Sequence, residues 1–107
     1  MIGVVYDRPI TIQRVDDGTE RWSDYARLHA RVNKSQGSEY TEASATRSVQ
    51  ALSFRVRWDP RMKAIERNTQ SFRVVYDGCL YNIRDTDDYM QRHREFEMEA
   101  VSYGRVD

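Results

Sequence analysis

Apolar and polar side chains alternate with a period of two wherever this sequence shows a pattern. That period commits a chain to half-buried strands, because successive residues of a strand point to opposite faces. The clearest run sets Leu52, Phe54, Val56 and Trp58 against Ser53, Arg55 and Arg57. A second sets Ala26, Leu28, Ala30 and Val32 against Tyr25, Arg27, His29 and Arg31, with Trp22 just upstream. Ile10 and Ile12 alternate with Thr11 and Gln13 after Pro9, a residue tolerated where a strand begins because its missing N–H need not sit inside a ladder. Two short runs, Phe72, Val74, Tyr76 and Cys79, Tyr81, Ile83, flank Asp77-Gly78. An Asp-Gly pair in that position predicts a two-residue hairpin, since both central residues of a type I′ turn need positive φ. Phe96, Met98 and Ala100 alternate with Glu95, Glu97 and Glu99, which gives a last strand with an acidic outward face. The pattern predicts about six strands with turn signals between them and no crossover helices. It points to an all-β chain, a small antiparallel barrel or sandwich.

Two stretches break the alternation. Residues Asn33 to Arg47 are polar, contain Gly37 and several Ser and Thr, and predict a long loop between strands two and three. A loop of that length in a compact domain is usually functional or disordered, and Glu39 to Ala45 carries helix formers able to make a short helix. Asp59-Pro60 predicts a turn, followed by a single helical turn over Arg61 to Arg67.

The chain has 107 residues, the length of one domain, so the expectation is a single domain over residues 1–107. Seventeen basic residues balance 17 acidic ones. Tight nonspecific DNA binding by counterion release is disfavoured at zero net charge. Cys79 has no second cysteine to pair with, and the apolar start MIGVVY ends at Asp7, too soon for a secretory h-region or a membrane span. The expectation is a protein of a reducing cytoplasm, or of something assembled there, with no membrane partner.

Candidate chemistry is sparse. Asp85, Asp87 and Asp88 suggest calcium, but an EF-hand loop starting at Asp85 needs Gly where Met90 stands and Glu where Phe96 stands. We therefore expect a solvated turn there. His29 and His93 lack a third ligand at metal spacing and are expected on the surface. Cys79 has no base paired with it by any motif, and lone cysteines are usually small apolar residues. No phosphate-cradling glycine loop, nucleophile elbow or paired zinc ligands occur. Asn33-Lys34-Ser35 matches the glycosylation sequon by chance, and Trp22 and Trp58 are expected in the core. The sequence thus predicts no catalytic residue, no metal and no cofactor.

Order and spacing say more than any single motif. Arg8 to Gln13 is followed by an acidic turn and Trp22, then by Tyr25 to Val32 ending in His29, Ala30 and Val32. Gly37-Ser38-Glu39 stands in the polar loop, Arg57-Trp58 ends the long strand, and Gly78, Tyr81 and Ile83 mark the hairpin. This succession, over nearly the whole chain, resembles the siphophage head–tail joining family, the small head-completion proteins called adaptors or stoppers. His29 stands where the family more often has an aromatic residue.

The resemblance implies a structural virion protein at the head–tail interface, assembled in the host cytoplasm and not an enzyme. It implies a homo-oligomeric ring, with a portal or adaptor protein on the head side and a tail-completion or tail-tube protein on the tail side. DNA would pass through the channel without sequence-specific binding. The loop residues Gln36, Gly37, Ser38, Glu39, Tyr40, Thr41 and Glu42 would then contact the channel or a neighbouring subunit. The alternative is a small β-barrel module holding single-stranded nucleic acid on Tyr25, Arg27, His29 and Arg31, or on Arg55 and Arg57. The acidic last strand argues against it.

Overall fold

A computed structural model describes residues 6–34, 50–88 and 93–106. The strands are β1 (Arg8–Val15), β2 (Trp22–Lys34), β3 (Ala51–Arg57), β4 (Phe72–Tyr76), β5 (Cys79–Asp88) and β6 (Glu95–Arg105). They close into a barrel in the order β1-β2-β3-β6-β5-β4, with every neighbouring pair antiparallel. Of the two architectures compatible with the alternation, the chain adopts the barrel.

The inward positions are those the alternation selects. Ile10, Ile12, Ala26, Ala30, Phe54, Val56, Phe72, Val74, Tyr81, Ile83, Phe96, Met98 and Ala100 are buried together. At the centre Phe54 meets Tyr76 and Tyr81 edge-on, with ring centroids 5.6 and 5.3 Å apart, the arrangement that aromatic quadrupoles favour. Asp77 and Gly78 have φ of 52° and 76°, so the β4–β5 hairpin turns as the Asp-Gly pair predicts.

The β3–β4 connection completes the core. β3 pairs with β2 only over Leu52–Arg55 and Arg31–Lys34, and beyond those rungs β3 continues without β2 as a partner. A six-residue helix, α1 (Met62–Arg67), follows β3, and its Met62 and Ile65 are fully buried in the barrel core. The Tyr25 hydroxyl donates to the Arg61 carbonyl at 2.9 Å and ties β2 to this segment. Asp59 braces its start by accepting from the Arg61 backbone N–H at 2.8 Å and from the guanidinium at 2.9 Å. That interaction holds the Asp59 carboxyl below the usual range. The helical turn expected over Arg61 to Arg67 is therefore present, and it serves as core.

Several expectations need correction. Tyr25 does not point outward: the register slips between Ile12 and Gln13, leaving Tyr25 as the extra residue of a bulge. Its ring packs against the core and meets Phe72 edge-on at 4.9 Å. Trp22 does not belong to the core cluster; it is half-buried beneath the Arg73 guanidinium, 4.3 Å from its ring. Asn33 and Lys34 are not loop residues, because they pair with Ser53 and Leu52 as the end of β2. The remainder of the Asn33 to Arg47 loop, with the short helix considered there, lies outside the described residues. Asp85, Asp87 and Asp88 form no solvated turn; they lie on β5, paired with Glu99, Glu97 and Phe96. Ladder pairing with β6 overrides their poor strand propensity, and Asp88 is buried.

Candidate functional site

The residues matching the head-completion pattern do not converge on one place. Ala30, Tyr81 and Ile83 are core, and the Tyr81 hydroxyl, its pKa raised chiefly by burial, donates to Gln50 Oε1 at 3.2 Å. Gly78 holds the hairpin turn, with open space where a Cβ would stand. Trp22 and Trp58 lie apart: Arg73 covers Trp22, while Trp58 stacks on the His93 ring at 4.0 Å and its backbone N–H donates to the Arg94 carbonyl at 3.0 Å. Arg57 lies over the Tyr6 ring at 5.6 Å. These positions build the barrel. Gln36, Gly37, Ser38, Glu39, Tyr40, Thr41 and Glu42 lie outside the described residues.

What the fold does assemble is a charged outer face on β2, β3, β6 and β5. β3 presents Arg55 and Arg57 and β6 presents Glu95, Glu97 and Glu99, because these are the outward positions of adjacent alternating strands. Their register sets Arg55 opposite Glu97 and Arg57 opposite Glu95. Arg55 reaches Glu97 at 3.2 Å and Glu95 at 3.8 Å, and the Ser53 hydroxyl donates to Glu97 at 2.7 Å. Asp87 on β5 completes a depression lined by Arg55, Asp87, Glu95 and Glu97. One row of directly paired residues runs Arg31, Arg55, Glu97, Asp87 across four strands.

Two other polar devices border this face. Tyr6 donates its hydroxyl to Glu95 at 2.5 Å, a contact spanning most of the chain length. Burial, then the hydrogen bond to Glu95 and its negative charge, push the Tyr6 pKa up to about 12. His93, with φ of 56°, closes the β5–β6 connection onto Asp88: its backbone N–H donates to Asp88 Oδ1 at 2.9 Å and its Nδ1 lies 2.6 Å from Oδ2. His93 and His29 are both exposed, as expected, and His93 in addition partners a buried carboxylate.

No catalytic constellation emerges among the described residues. No group of three or more His, Cys, Asp or Glu is placed to hold a metal there, and Cys79 is half-buried against the core. Nor is any helix among them long and apolar enough to cross a membrane. Sequence reasoning missed the charged row because it counted the acids of β5 as a turn. The complementary spacing of Arg55 and Arg57 against Glu95 and Glu97 was the available signal that β3 and β6 are neighbours.

Comparison with known families gives a match to the phage head completion protein family over residues 5–102. No curated protein matches the chain. With the match spanning nearly its whole length, the chain belongs to the phage head completion family. It is a structural protein of the phage head, and it works among other head and tail proteins of the virion.

Proposed function

From membership of the phage head completion family, we propose that this chain forms a homo-oligomeric ring joining the filled head to the tail. In this reading residues 1–107 act as one joining domain. A portal or adaptor protein docks on the head side and a tail-completion or tail-tube protein on the tail side. The ring assembles in the host cytoplasm and remains at the head–tail interface of the virion. DNA passes through its channel without sequence-specific contacts. The segment from Gln36 to Glu42 contacts the channel or a neighbouring subunit, and gates the passage if it reaches the lumen.

The family match over residues 5–102 carries the reading. Charge placement supports it over the single-stranded nucleic-acid module. That module needs Arg55 and Arg57 free to meet phosphates, yet Arg55 is held by Glu97 and Glu95 on the adjacent strand. Tyr25, offered as a stacking platform, turns its ring towards the core. The acidic residues of β5 and β6 beside this face repel a phosphate backbone.

The test is genetic and particle-based: delete the gene from its phage or prophage, induce, and image the products by electron microscopy. Tailless or leaking heads beside free tails are the expected outcome. Normal infectious particles would overturn the joining role.

A further inference from the structure

The four-residue charged row is neutral in sum but unevenly arranged. Its members run positive, positive, negative, negative: Arg31 on β2, Arg55 on β3, Glu97 on β6 and Asp87 on β5. Only the central pair is an ion pair, at 3.2 Å. Each end is set directly opposite a like charge, Arg31 opposite Arg55 and Asp87 opposite Glu97. Like charges at directly paired positions destabilise a sheet. Arg55 and Glu97 satisfy each other, so the outer members Arg31 and Asp87 are the ones that gain from opposite charge supplied from outside.

The barrel carries both halves of what is needed. The outer face of β2 presents Arg27, His29 and Arg31, all exposed. Arg31 has no ion-pair partner among the described residues, and Arg27 is held only by Asp24, at 3.1 Å in an exposed pair. On β5, Asp85 and Asp87 are exposed. β2 and β5 lie three strands apart around a six-stranded circuit, so the two ends of the row face different directions. Complementary patches on different sides of one molecule make a head-to-tail, heterologous contact, the kind that closes into rings.

We infer that successive copies of this chain associate through these ends, with Arg31 and its β2 neighbours on one copy against Asp85 and Asp87 on the next. This rests on the ring reading above and names the surfaces that build the ring. Each junction continues the alternation of paired charges from one subunit into the next, and both like-charge ends are neutralised at once.

The experiment complements the gene deletion with Arg31→Glu, Asp87→Arg and the double variant, counting infectious particles, and melts each purified protein. Each single reversal turns a like-charge rung into an attractive one, so each variant should melt at or above the parental temperature. Each should nevertheless lower particle yield by at least about tenfold, the effect of about 1.4 kcal/mol per junction. The double variant, whose reversed ends complement each other, should recover most of that yield. Parental yields from both single variants, where the deletion itself yields tailless heads, would overturn this interface and leave the joining role standing. Failure of the double to recover would also overturn it. A lowered melting temperature in both singles would refute the like-charge argument. Normal particles from the deletion would remove both readings.

Discussion

Replacing Ile65 by alanine tests whether α1 is part of the core or merely a connector. Ile65 is fully buried on a helix of six residues. Helices shorter than about 12 residues do not stand alone in water, so α1 persists through what it buries. The substitution removes three carbon groups at about 0.8 kcal/mol each, or about 2.4 kcal/mol before any cavity term. Incomplete collapse of the site adds to this, placing the total at about 3 kcal/mol within the usual range for such truncations. In a domain of this size that lowers the melting temperature by roughly 12–24 °C. Ile65→Val, which removes one carbon, should cost only about 1 kcal/mol, and Lys63→Ala on the exposed side less than about 0.5 kcal/mol. Thermal melts followed by circular dichroism read the series. Hydrogen exchange should show faster opening of the Met62–Arg67 amides in the alanine variant. A drop of less than about 4 °C for Ile65→Ala, below what 1 kcal/mol produces at this size, would refute α1 as a core element.

Further predictions follow from the turn, the arm and the buried carboxylate. Gly78→Ala meets no atom within 4 Å but must adopt φ of +76°, so its cost is conformational, about 1 kcal/mol, visible as a lower urea midpoint with an unchanged slope. The Tyr6 pKa is raised from 10.0 to about 12 in the folded chain, so its stabilising effect is full below pH 10 and is lost as pH rises towards 12. Tyr6→Phe should flatten that alkaline loss in melts between pH 9 and pH 12, and a parental profile would show that Tyr6 does not dock on Glu95. Asp88→Ala strands the His93 backbone N–H and should cost about 1–3 kcal/mol in denaturant titration; Asp88→Asn, which keeps an acceptor, should cost less, and equal losses would argue against that hydrogen bond.

The barrel was legible because its core obeys one rule. Phe54, Val56, Phe96, Met98 and Ala100 sit on strict alternation and are buried as it predicts, and Asp77-Gly78 places its turn by backbone sterics alone. Departures from the rule could not be read. The bulge that turns Tyr25 inward comes from a register slip with β1, a property of two strands together. Asp85 to Asp88 look like a loop until β6 pairs with them. Met62 and Ile65 lie in a segment too short to show helical periodicity, and their burial is set by the barrel core they enter. The charged row is hidden for the same reason: Arg31, Arg55, Glu97 and Asp87 are scattered along the chain and become neighbours only through register.

The position of β6 also constrains how the chain comes to be folded. The last strand in sequence is inserted between β3 and β5, pairing with both. During synthesis the β4–β5 hairpin can form early, since its turn is local. Until Glu95–Arg105 has been made, however, β3 and β5 each present an edge of unpaired backbone N–H and C=O groups, a template for association with other nascent chains. Ring closure of the barrel therefore waits for β6. Folding should be slow for so small a protein, in the millisecond-to-second range of topologies dominated by distant contacts. A ribosome stalled before β6 would hold a chain that has every other strand and no barrel.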